Sequence, residues 1–312
     1  MNGRAAAVGK VSRRDEAAVA LRARPVERTI ELSMLLSAVF SILITTGIVY
    51  VLVTEAAPFF RQVSLWEFLT DTQWTPLFAD KHFGILPLLC GTLMTTGIAI
   101  LVALPLGTAI AIWLSEFARP GVREVVKPIL ELLSAVPTVV FGYFAVQLVS
   151  PGLQMLIRDL NLFNMLAAGL VMGIMIVPYV TSLSEDAMRA VPMLLREGSY
   201  GMGAGQVTTA FRVVFPAALS GIGAAYTLAI SRAVGETMIV AIAAGTQPNL
   251  TWNPLEGAAT ISAYIVQVSM GDLPHGSLEY QTIFAAGIAL FLMTLVLNLL
   301  SVILRARYRQ AY

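Results

Sequence analysis

The run Ser231-Arg232-Ala233-Val234-Gly235-Glu236-Thr237-Met238 places an arginine and a glutamate in the middle of an apolar stretch, Val213 to Leu255, that carries no other ionised side chain. An Arg at the centre of a membrane span costs about 2.5–3.5 kcal/mol on insertion scales unless it is paired or faces water. A spacing of four puts Arg232 and Glu236 on one face of a continuous helix, where they neutralise each other and turn inward. Two chemistries fit that arrangement. One is a structural ion pair that fixes helix packing. The other is an anion path, in which the planar fork of Arg232 meets oxyanion oxygens and Glu236 holds the fork between visits.

Other chemistry is poorly supplied. A phosphate-cradling nucleotide loop needs Gly-Lys followed by Ser or Thr, yet Lys10, Lys81 and Lys127 are followed by Val11, His82 and Pro128. Any ATP that drives the protein is therefore bound, with its Mg, by a separate subunit. No Gly-x-Ser-x-Gly elbow or His-Glu-x-x-His helix occurs. A single cysteine, Cys90, and two histidines, His82 and His275, cannot by themselves build a disulfide or a zinc cage. The chain reads as a path or scaffold with no catalytic residues and no bound cofactor.

The elements that position Arg232 follow from composition. Of 312 residues, 57% are hydrophobic and 12% charged, about half the charged share of a soluble domain, so the bilayer is the solvent. A span needs about 20 residues with few charges. Leu32 to Val53, Phe83 to Ser115, Leu132 to Ile157, Leu160 to Ser184 and Tyr280 to Leu304 contain none, and Val213 to Leu255 contains only Arg232 and Glu236. The expectation is an all-α polytopic membrane protein with six transmembrane helices.

Sixteen of the 20 basic residues fall before the first span, between the second and third, between the fourth and fifth, and after the sixth. Because Lys and Arg concentrate in cytoplasmic loops, both termini are expected in the cytoplasm. The first apolar stretch is too long for a signal h-region and is expected to stay. Residues 1–28 read as a basic, disordered or surface-lying tail that meets anionic lipid heads, and 29–312 as one transmembrane domain. Of the external segments, Glu55 to His82 reads as an interfacial helix with an aromatic belt, and Thr246 to Gln281 as a loop around a short helix.

The cytoplasmic segment Ser184 to Arg212 is long for a helix connection. Pro192 suits a first helical turn and the glycines at 201, 203 and 205 suit a bend, which predicts a short amphipathic helix from Pro192 to Met202. Glu197, Gly198 and Ser199, then Gly203, then Val213, Phe215 and Pro216 resemble the loop of ABC importer permeases, with Gly198 and Ser199 replacing its two alanines at unchanged spacing. That resemblance implies a coupling helix between the fourth and fifth spans that docks on a partner ATPase. Small residues permit the close approach and Gly203 the bend.

Arg232, Ala233, Gly235, Glu236, Thr237 and Met238 further resemble the Arg-Ala-x-Gly-Glu-Thr-Met run of phosphate importer permeases of the PstC type. Phe83 to Leu93 and Ser134 to Gly142 look like that family's entries to the second and third spans, and the likeness covers the chain from about residue 30. It implies a substrate pathway through Arg232, Glu236 and Thr237. It also implies a homologous PstA-type permease, a dimer of ATP-binding subunits and an extracytoplasmic phosphate-binding protein in a bacterial inner membrane, with no nucleic-acid partner. Molybdate or sulfate import, or a self-contained secondary transporter, are the alternatives. Pro137, Pro178 and the pair Gly169 and Gly173 are expected to supply bends and close helix contacts.

Overall fold

The computed structural model describes the backbone of residues 13–308 and the side chains of residues 27–303. The chain divides into two compact units, Met1–Thr54 and Glu55–Tyr312, each described by itself. Helix α1 (Arg13–Gln62) supplies all of the described part of the first unit and enters the second. Residues 13–28 of the expected tail belong to this helix, and residues 1–12 lie outside the described residues. The large apolar side chains from Ile30 to Val53 are mostly exposed, as a lipid-facing or partner-facing surface requires.

In the second unit, α2 (Leu65–Thr70) precedes α3 (Leu86–Ile112), α4 (Pro120–Ser134), α5 (Thr138–Phe144), α6 (Ser150–Gln154) and α7 (Met165–Arg189). Then come α8 (Met193–Gly201), α9 (Gln206–Thr209), α10 (Phe215–Val234), α11 (Met238–Ala243), α12 (Ile261–Ser269) and α13 (Leu278–Tyr308). Among the described residues, five helical stretches are long and apolar enough to cross a membrane: Glu27–Gln62, Leu86–Phe117, Met165–Arg189, Gln206–Val234 and Leu278–Ile303. A sixth crossing is available if α4 and the segment Thr138–Gln154 count as one span, and these two are bent by 86°. The expected third span, Leu132 to Ile157, is therefore broken. Pro137 forces the residue before it out of helical geometry, and the chain turns there before α5 begins.

Three turns widen to π geometry, at Trp113–Phe117, Ala145–Val149 and Ala210–Val214. The last two are each followed within two residues by proline, Pro151 and Pro216. A proline ring collides with the carbonyl four residues back and donates no hydrogen bond, so the turn before it opens and the residue ahead of the proline bonds five residues back instead: Ser150 N–H to Ala145 O and Phe215 N–H to Ala210 O. Pro216 thereby sets how α10 starts.

The axis of the unit is the pair α3 and α7. Their approach is set by glycine: a Cβ at Gly169 would lie 2.7 Å from Ile98 Cβ, one at Gly173 2.8 Å from Val102 Cβ, and one at Gly107 2.6 Å from Val180 Cβ. Gly169 and Gly173 thus make the close contact their spacing predicts. Around this axis α5, α10 and α11 close a central apolar cluster that includes Phe141, Met172, Met175, Ile176, Ile239 and Val240. A second cluster at the α8 end gathers Ile112, Met188, Val214, Ala218 and Ile222.

The third cluster, at the α12 end, corrects the reading of Glu55 to His82 as an aromatic belt. Phe59, Phe68, Trp74 and Phe83 are buried against Tyr264, Val268 and Ala285, with ring pairs in edge-to-face contact at 5.1–6.1 Å. Such pairs add about 0.5–1.5 kcal/mol each beyond area burial, so this segment is a folded cap. Trp66 alone of the tryptophans here points outward. Thr246 to Gln281 does contain its one short helix, α12, capped by Thr260 Oγ1 accepting from Ala263 N–H.

Candidate functional site

The span carrying Arg232 is discontinuous. α10 ends at Val234 with Gly235 as its C-cap, and α11 starts at Met238 after a non-helical Glu236 and Thr237. The fixed geometry that would set side chains four apart on one face is lost at this break, and among the described residues no Arg232–Glu236 ion pair forms. This corrects the expected pairing. Glu236 is buried, and its Oε1 accepts from the N–H groups of Met238 at 3.2 Å and Ile239 at 3.4 Å. Those amides are the free donors that every helix start leaves, so the carboxylate is committed to opening α11. The carbonyl of Glu236 accepts from Ser262 Oγ at 2.7 Å, tying the break to α12. Thr237 is the half-buried N-cap of α11, its Oγ1 donating to Gly235 O at 3.2 Å.

Arg232 instead lies over the ring of Tyr179 in α7, with Cζ 4.2 Å from the ring centroid. Its Nε is buried and has no hydrogen-bond partner among the described residues. Next to it, Ser231 Oγ donates to Asn298 Oδ1 of α13 at 2.8 Å. The outcome is a guanidinium inside a span, held against an aromatic face and, among the described residues, without a carboxylate partner. Chemically this is an anion-attracting point with unfilled donors.

Of the loop residues singled out by spacing, Glu197, Gly198 and Ser199 lie on α8, Gly203 in the turn after it, and Pro216 in the first turn of α10. Pro192 and Met202 flank the helix as N-cap and C-cap, the predicted bounds. Ser199 is buried and its Oγ bonds Thr209 Oγ1 at 2.8 Å, while Glu197 and Gly198 are exposed. Gly203 has φ +83, a left-handed conformation that costs other residues about 1–2 kcal/mol. The turn after α8 therefore needs its glycine. α7 extends to Arg189 and the fifth span begins at Gln206, so the segment from Ser184 to Arg212 is mostly helix.

Two anchors escaped sequence reasoning. Arg196 of α8 donates to Glu116 Oε1 at 3.0 Å, to Val191 O at 2.7 Å and to Met188 O at 2.9 Å, with both charged side chains nearly buried. Gln206 Nε2 reaches the backbone carbonyl of Glu116. Further along, Glu185 of α7 is wholly buried and accepts from Arg123 Nε at 2.8 Å and Lys127 Nζ at 2.9 Å of α4, with Arg189 Nε 3.8 Å away. The partners are separated by 58–80 residues, which no local pattern reveals. The one available signal was the acid run Glu185-Asp186 directly after an apolar span.

At the α12 end a cavity of about 940 Å³ opens between Asp159 to Phe163 and the loop Gly245 to Gly257. Among the described residues, no three His, Cys, Asp or Glu side chains group as a metal would require.

Residues 103–310 match the family described as binding-protein-dependent transport system inner membrane component. The chain is 35% identical over 238 residues to a probable ABC transporter permease protein, YqgH, of Bacillus subtilis, covering 76% of this chain and 77% of that protein. It is 32% identical over 254 residues to the phosphate transport system permease protein PstC of Mesorhizobium japonicum, covering 74% and 76%. Among solved structures, a bacterial ABC transporter involved in import of the acidic polysaccharide alginate matches with TM-score 0.57 and 17% identity, over 92% of this chain and 100% of that one. The MetNI methionine ABC transporter in an inward-facing form matches with TM-score 0.53 and 16% identity, over 73% and 95%. The folded unit built around α3 and α7 is thus an importer-permease fold, and the chain belongs to the binding-protein-dependent transport system inner membrane component family, as a non-catalytic membrane permease subunit of the ABC-transporter superfamily.

Proposed function

We propose that this chain is the permease subunit of an ATP-driven phosphate importer in a bacterial inner membrane, with both termini in the cytoplasm. It pairs with a homologous PstA-type permease, two ATP-binding subunits that hold ATP and Mg, and an extracytoplasmic phosphate-binding protein. The observation that carries the reading is Arg232, a cation inside a span whose nearest carboxylate in sequence, Glu236, is bonded elsewhere. Uncompensated positive charge in a low-dielectric path favours an anion, and a guanidinium edge suits two oxygens of a tetrahedral oxyanion. Similarity to relatives named for phosphate transport, at 27–32% identity, supports phosphate as the oxyanion.

Coupling is assigned to α8. Arg196 and Ser199 hold the helix on its inner side, while Met193, Leu194, Glu197, Gly198 and Met202 are exposed on it and at its end. A short rigid helix with an unpartnered face passes the closure of an ATPase into α7 and α10. The test is co-purification of the chain with an ATPase and a second permease, followed by ATP turnover in proteoliposomes with the binding protein present. Phosphate should stimulate turnover while molybdate and sulfate do not. Transport by this chain alone, without ATP, would overturn the reading.

A further inference from the structure

Tyr179 is absent from the pathway residues that the sequence singles out, yet its ring lies against the Arg232 guanidinium. It sits directly after Pro178 in α7, half-buried, with its ring 4.2 Å from Arg232 Cζ. The guanidinium carbon therefore sits over the ring of Tyr179. Among the described residues the Arg232 Nε is buried without a hydrogen-bond partner, so the guanidinium is not committed to an internal acceptor through that nitrogen.

We propose that Tyr179 is the positioning residue of the anion path: its ring holds the Arg232 guanidinium flat and apart from Glu236, so that the Nη edge faces the passing oxyanion. This rests on the reading of Arg232 as a phosphate contact. Long cationic side chains in a span otherwise swing toward the nearest polar surface, and the nearest acid in the chain is Glu236, four residues on. Were the two to pair, Arg232 would lose its charge to an internal partner. The face-on contact competes with that collapse, because an aromatic face attracts a desolvated cation without neutralising it.

The contact depends on the ring and not on the hydroxyl, which separates it from ordinary packing. In proteoliposomes holding the assembled transporter, with orthophosphate as the probe, Tyr179→Phe and Tyr179→Trp should keep the maximal uptake rate within about twofold of the parent. Tyr179→Leu and Tyr179→Met, apolar but without a ring, should lower it about tenfold, the factor expected for a desolvated cation–ring contact. The external phosphate concentration giving half-maximal uptake should stay the same. Assembly is followed by co-purification of the subunits, and the Met variant serves if the Leu variant fails to assemble. Equal rates for the Leu, Met and Phe variants would overturn the assignment, as would an equal loss in the Phe and Leu variants. Arg232→Gln separates the two claims. Normal uptake in that variant removes the pathway reading itself, whereas lost uptake there with normal rates in Tyr179→Leu and Tyr179→Met removes only the role of Tyr179.

Discussion

Deleting the two cations that face Glu185 should destabilise the protein more than neutralising Glu185 itself. The carboxylate is wholly buried, whereas the side chains of Arg123 and Lys127 keep 25% and 24% of their exposure. In Glu185→Gln, Arg123 loses its carboxylate but stays in reach of water, Lys127 keeps Asp186 Oδ1 at 2.6 Å, and the amide still accepts one hydrogen bond, so the loss is about 1–3 kcal/mol. In Arg123→Ala/Lys127→Ala the buried carboxylate keeps only Arg189, at 3.8 Å, and stranding a buried charge costs about 3–5 kcal/mol. α4 has no buried residue of its own, so these ion pairs carry much of its attachment to α7. Cys90 offers the reporter: it is the only cysteine, free and buried, and a thiol-reactive fluorophore reaches it as the purified chain unfolds in detergent. The double cation variant should melt at a lower temperature than Glu185→Gln. The opposite order would refute the argument from asymmetric burial.

Arg196→Ala should release α8 from the α3 end, at a cost of about 3–5 kcal/mol for leaving Glu116 nearly buried and unpaired; Arg196→Lys should not rescue it, since a single ammonium cannot bridge a carboxylate and two carbonyls as the fork does. Co-purification with the ATPase reads the outcome, and full retention in Arg196→Lys would contradict it. The cap loop should loosen as pH rises. The hydrogen bond between His82 Nδ1 and Asp71 at 2.9 Å, helped by Asp80, raises the His82 pKa above 6.5. A raised folded pKa gives a contribution that is full below the unfolded value and lost as pH climbs through the folded one. Burial pushes Asp71 up, but hydrogen bonds from His82 and the Gln73 N–H outweigh it and hold its pKa low, so its share is lost only in acid. Hydrogen exchange over residues 71–83 should therefore quicken as pH rises above 6.5 and through the raised His82 pKa, while Lys81–Glu279 still holds the loop's far side. In His82→Gln that pH dependence should vanish.

Long charge-free runs made most of the spans legible, because the cost of a charge in lipid leaves a plain trace in sequence. The short helix at Met193–Gly201 was legible because Pro192 and Gly203 mark its two ends through backbone geometry alone. The site was only partly so. Residue spacing placed Arg232 and Glu236 together on an assumed continuous helix, but Gly235 ends α10 and Glu236 opens α11. That break had a signal, a glycine followed by a carboxylate and a β-branched threonine, and the helical reading overrode it. Tyr179 and Glu116 had none and Glu185 only the acid run it opens, since each matters through a partner more than 50 residues away. The aromatic segment before the second span shows the same limit: its rings suit either an interface or a small core, and only Tyr264, nearly 200 residues on, closes the core around Trp74.

The most direct test of the account is phosphate uptake by the assembled transporter carrying Arg232→Gln, a substitution that keeps a polar, straight-chain side chain but shortens it and removes the charge. Uptake should fall to background while the subunits still co-purify. Uptake at the parent rate in a correctly assembled complex would contradict the assignment of Arg232 to the anion path.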